Sequence, residues 1–259
     1  MSHTRSPSIT RLHLVAGDHA ANAAALMELV NQQAGFADER GLPQVHWYGD
    51  DEAWERMRRA RGKLTRQRTP RPFYSPETHA VYFPPKVTKA VESGFSTLDD
   101  FDGLVSALHE FLHGARYATM RSLRAHLIEG LTEGFARSLA CRHLTPPRAL
   151  SRVEVNELLS DGNPMTELSV QTLEAIALLT QPSRARSRQW LCEVIRSKEP
   201  QTLLQSAIVR LLSPDASPVR AERASRIPTL LNRVLKAAQE RHGLTITTGE
   251  VWYPDGVTM

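Results

Sequence analysis

The sequence predicts an α+β chain, mixed in its first third and mainly helical after that. Three observations carry this reading. Short β-prone runs alternate with helical stretches over the first hundred residues. From Ser96 onward, apolar residues recur at three- and four-residue spacing, and prolines separate the segments. The composition is globular: 259 residues, 41% apolar and 23% charged. That excludes a collagen-like or wholly disordered chain. A chain of this length buries a sizeable core without staples.

The elements follow in order. Residues 9–15 read as a short strand, and 19–33, rich in Ala and Leu, as a helix. Residues 45–48 look like strand and 51–61 like helix. The run 62–76 contains three prolines and reads as loop. His79 to Phe83 alternates and is β-prone, and Pro84 with Pro85 ends it. Thr97 and Asp100 have capping-box spacing. They precede the apolar series Leu104, Val105, Leu108 and Leu112, so a helix is expected to about residue 120. A second helix is expected over about 122–143, with Leu123, Leu127, Leu131, Phe135 and Leu139 apolar. Further helices are read near 150–160, 166–180, 185–197, 200–212 and 218–241, and a last strand over 244–252. This organisation suggests an α+β core at 1–145 and a helical subdomain at 146–259.

Two cysteines, Cys141 and Cys192, cannot form a secreted-type disulfide framework. There is no signal-peptide h-region and no apolar run of membrane-spanning length. A cytoplasmic chain is expected, with no membrane partner. The net charge is +4, but unevenly spread. Eight basic residues and no acid fall within 56–71, with Trp54, Phe73 and Tyr74 nearby. Such a stretch suits a solvated face, or contact with nucleic acid or an acidic partner. Residues 249–254 are apolar enough to dock, either capping a domain or lying across a cleft.

The chemistry concentrates in His109-Glu110-Phe111-Leu112-His113. On a helix, residues four apart share a face. Two imidazoles at that spacing can grip one Zn²⁺, with Glu110 placed to act on a water beside it. By composition alone such a run arises roughly once in forty chains of this kind, so its context has to decide. The next helix carries Glu129 and Glu133, one turn apart on one face. Nineteen residues lie between His113 and Glu133.

Residues 96–145 resemble the gluzincin branch of the HExxH zinc metallopeptidases, which includes thermolysin-like and aminopeptidase families. Leu131-Thr132-Glu133-Gly134-Phe135-Ala136 looks like that branch's third-ligand signature, with Thr for the usual Asn. The resemblance implies a zincin-like core with Zn²⁺ held by His109, His113 and Glu133, and Glu110 as general base. Glu129 is a competing ligand, or a carboxylate that orients a ligand histidine. Thermolysin-like enzymes carry an acid four residues after the ligand Glu; here that position is Arg137. The resemblance also implies a strand whose free edge pairs with substrate, which would use His79, Val81 and Tyr82. Tyr117 and Tyr82 are candidate transition-state donors, and Arg116 and Arg137 candidate oxyanion partners. The implied function is zinc-dependent hydrolysis of a protein or peptide by a narrow-specificity intracellular endopeptidase. The alternatives are a catalytically weak regulatory or binding relative and a nucleic-acid-associated protein using residues 56–71.

Overall fold

The structure, a computed structural model, describes residues 11–37, 39–61, 71–123, 125–148, 154, 164–181 and 183–212. Its elements are α1 (His19–Ala34), β1 (Gln44–Trp47), α2 (Asp51–Ala60), β2 (Phe73–Ser75), β3 (Ala80–Phe83), α3 (Pro85–Ser93), α4 (Asp100–Met120) and α5 (Ala125–His143). Three more helices follow: α6 (Pro164–Thr180), α7 (Arg184–Arg196) and α8 (Pro200–Leu212). The fold is therefore mixed α+β, with a small sheet and a helical majority. The expected segments 150–160, 218–241 and 244–252, and the tail 249–254, lie outside the described residues, apart from residue 154. No helix among the described residues is long and apolar enough to cross a membrane.

Helix α4 organises the molecule. Sixteen of its 21 residues are buried, so it is a central helix and not a surface one. Its start is fixed by Asp100, whose carboxylate accepts from the Thr97 backbone N–H at 2.8 Å and from the Thr97 hydroxyl at 3.0 Å. Leu104, Leu108, Phe111 and Leu112 enter a hydrophobic core that runs unbroken from Ala23 to Ile208. Residues on both sides of position 146 thus share one core. Pro85 opens α3, because its fixed φ and missing N–H suit the first helical turn. Pro84 and Pro85, expected only to end the preceding strand, thus also begin a helix.

The sheet has the order β1-β3-β2, with β1 parallel and β2 antiparallel to β3. Two expectations change here. Residues 73–75 form a strand inside the stretch read as loop. As a result β3 is the central strand, paired on both sides, and has no free edge. Residues 9–15 do not form the expected strand over the part described; Leu12 makes a single bridge to Leu144.

The two sheet faces differ. Val81 and Tyr74 join the main core against α4. Tyr82 faces the other way. It stacks between His46 (4.7 Å) and Phe73 (4.8 Å), under Trp54 of α2. Close helix packing is set by small residues. A Cβ at Gly130 would sit 2.9 Å from the Ser169 carbonyl carbon, so this glycine lets α5 and α6 approach.

Candidate metal centre

Burial forces the issue of what the α4 histidines do. His109, Glu110 and His113 are all less than a tenth exposed. Unpaired polar groups at such depth cost several kcal/mol, so each needs a partner. A surface helix with two unrelated histidines is therefore excluded.

The two Nε2 atoms of His109 and His113 face each other at 2.9 Å. The Glu129 carboxylate reaches both, at 3.2 Å from His109 Nε2 and 3.4 Å from His113 Nε2. One ligand atom from each of the three residues falls within a 4.8 Å cluster. Glu133 lies on the other side of the His109 ring. His109 Nδ1–H donates to its Oε2 at 2.8 Å. This hydrogen bond turns His109 Nε2 toward Glu129 and His113.

The two expected carboxylates thus lie on different sides of the His109 ring. Glu129 stands with the histidine Nε2 atoms, and Glu133 is bonded to His109 Nδ1. The cause lies one turn further on and in another helix. Arg137 Nε donates to Glu133 Oε1 at 2.7 Å, and its Nη1 donates to Glu167 of α6 at 2.7 Å. This buried ion-pair chain holds Glu133 on the Nδ1 side. A signal for this arrangement was present in the sequence. The residue four after Glu129 is an acid, Glu133; the residue four after Glu133 is Arg137.

The electrostatics favour a cation between these groups. Burial disfavours a charged His109. Hydrogen bonds to Glu129 and Glu133 outweigh it and hold the imidazole pKa well above its usual value. Burial also pushes both carboxyls up, yet the bonds to the histidines win. They hold Glu129 far below the carboxylate range and Glu133 down at about 2. Two convergent imidazole Nε2 atoms beside an anionic oxygen, with a metal ion displacing the Nε2 proton, form the donor set expected of a zinc site. The residues present fit such an ion.

Glu110 stands apart from the donor cluster. Burial raises its pKa, against the pull of His109 and His113, and the Tyr74 backbone N–H hydrogen-bonds it. Glu110, His113 and Glu129 reach the wall of a cleft of about 450 Å³, whose other side is Phe73 and Tyr74 of β2. Tyr117 also lines this cleft, its ring 5.7 Å from that of Tyr74.

The other candidates fall elsewhere. His79 is buried beneath the sheet end, with Nδ1 2.8 Å from the Tyr74 hydroxyl and Nε2 3.0 Å from the Gly41 carbonyl. Val81 is core, and Tyr82 is buried in the aromatic stack. None of the three offers an edge to substrate, because β2 covers β3 on the cleft side. Arg116 donates to the Ser197 carbonyl at 2.7 Å, and Arg137 is committed to Glu133 and Glu167. Neither lines the cleft. Within the basic stretch, Arg56 pairs with Glu52 and Arg58 with Glu55, while Arg61 lies over the Tyr82 ring. Residues 62–70 lie outside the described residues.

The chain matches no family model, no curated protein and no solved structure.

Proposed function

We propose that this chain is a zinc-dependent peptidase with a zincin-like core, in which His109, His113 and Glu129 hold the ion and Glu110 is the general base. One observation carries the reading: the histidine Nε2 atoms and the Glu129 carboxylate converge beside Glu110 on one side of an open cleft. Bound Zn²⁺ would supply a water of lowered pKa and a polarised scissile carbonyl.

The residues of the chain do the rest. Glu133 fixes the His109 tautomer and ring orientation through Nδ1. Glu110 accepts the proton of the attacking water and passes it to the leaving amine. Its raised pKa suits both halves of that task. The Tyr74 N–H orients its carboxylate. Tyr117 is the hydroxyl placed along the cleft to donate to the developing oxyanion. Among the described residues, β2 pairs only with β3. Its other edge is suited to an extended peptide backbone.

Elemental analysis of the purified protein should find about one zinc per chain. A mixed synthetic peptide library should be hydrolysed, and a zinc chelator should stop the reaction. Glu110→Gln should keep the metal and slow hydrolysis by about 10²–10⁴-fold. Undiminished hydrolysis by that variant would contradict the proposal.

A further inference from the structure

The cleft contains a cation that the proposed chemistry does not use. Arg121 follows the last turn of α4, and its backbone N–H donates to the Tyr117 carbonyl at 2.9 Å. Among the described residues lining the cleft it is the one Arg or Lys. It is exposed, and no carboxylate of the described residues pairs with it. Around it the wall is apolar: Leu123, Ala125 and Ile128.

Its distance from the reacting centre is set by the helix. His113, Tyr117 and Arg121 recur every four residues and form one stripe along the cleft. At ~1.5 Å per residue, Tyr117 stands ~6 Å and Arg121 ~12 Å beyond His113. Helical side chains lean toward the N-terminus, which brings the guanidinium back toward the centre. An extended peptide advances ~3.3 Å per residue, so Arg121 lies opposite a group about two to three residues from the scissile bond.

The charge balance points the same way. A divalent cation at the centre would be balanced by the carboxylates of Glu110 and Glu129. Among the described residues lining the cleft, no further carboxylate then remains to pair with Arg121. A guanidinium in this setting recognises a carboxylate through paired, charge-assisted hydrogen bonds.

We infer that Arg121 is a specificity determinant, selecting substrates with a carboxylate two to three residues from the cleaved bond. That carboxylate is an acidic side chain or the free C-terminus of a short peptide. The inference rests on the peptidase reading, and it adds the substrate class.

The test uses the full chain loaded with zinc and carrying Glu110→Gln, so that peptides bind without turnover. Three fluorescein-labelled hexapeptides share one apolar sequence. The first is amidated and neutral, the second is amidated with a Glu near its end, and the third has a free C-terminal carboxylate. Fluorescence polarisation should show at least one acidic peptide binding roughly five- to tenfold tighter than the neutral one. Tighter binding of the Glu peptide assigns a side-chain carboxylate, and of the free acid a chain terminus. Adding Arg121→Ala should remove the difference. Arg121→Glu should invert it in favour of a Lys-containing peptide, and Arg121→Lys should retain part of it. Equal binding of all three peptides, no binding of any, or a preference that survives Arg121→Ala would overturn the inference. Library hydrolysis by the chain with Glu110 intact judges the peptidase reading separately. Hydrolysis without acidic preference would sink the Arg121 assignment alone.

Discussion

The two ends of the α4–α5 site are built on opposite principles. At the His109 end every polar group is held. His109 is bonded to Glu133, Glu133 to Arg137, and Arg137 to Glu167 on a third helix. Arg137 is almost fully buried, and the two carboxylates it joins are half-buried. At the His113 end the groups face the cleft. Tyr117 and Arg121 continue the stripe toward solvent, opposite Phe73 and Tyr74. One helix thus presents a rigid, oriented ligand at one end and an accessible surface at the other. Preorganisation and access are separated along its axis, which is what a hydrolytic site on a rigid scaffold requires.

Breaking the closed end should have the largest effect on stability. Arg137→Met would leave the half-buried Glu133 and Glu167 carboxylates without this guanidinium. Removing one partner of a buried pair typically costs about 3–5 kcal/mol, and a loss of this size should appear in urea denaturation of the zinc-free chain. A change within 0.5 kcal/mol, of order a surface substitution, would mean that the charge chain is not structural.

Altering the open end should change catalysis and leave the fold intact. Tyr117→Phe removes one hydroxyl from the cleft. If that hydroxyl donates to the oxyanion, kcat should fall by about 10²-fold, with KM changed little and the melting temperature preserved. A parallel loss of stability would instead mark Tyr117 as a packing partner of Tyr74.

The smallest effect belongs to Cys141, on the closed side. Burial pushes its thiol up to about 12, against the pull of Arg142 and Arg137. Only the thiolate is nucleophilic, so raising the pH to 8 or 9 should leave this group protonated and inert. Mass spectrometry after iodoacetamide treatment of the folded chain should find Cys141 unmodified, and labelled once the chain is unfolded. Rapid labelling in the folded state would show that this side opens to solvent.

The comparison also explains what could be read from the sequence. The HExxH helix was legible because four-residue spacing alone places both histidines on one face. The choice between Glu129 and Glu133 was not, since helical spacing gives both the same face. The arbiter is Glu167, more than thirty residues downstream, acting through Arg137. No local pattern announces that contact. The place of β3 in the sheet was hidden for a similar reason. Its cover, β2, is three residues long and bracketed by Pro72 and Pro76. Period-two alternation needs a longer run to be visible. The α+β class and most helix bounds depend on local periodicity and were recoverable.

The exchange of roles between the two carboxylates is the central claim, and zinc binding tests it directly. Zinc affinity should be measured by competition with a chromogenic chelator for Glu129→Ala and Glu133→Gln, alongside the unaltered chain. Glu129→Ala should lose stoichiometric zinc. Glu133→Gln should retain one zinc per chain, with affinity lowered about 10–100-fold, as expected for a group that orients a ligand. Full zinc retention by Glu129→Ala, with loss in Glu133→Gln, would contradict the assignment and restore Glu133 as the third ligand.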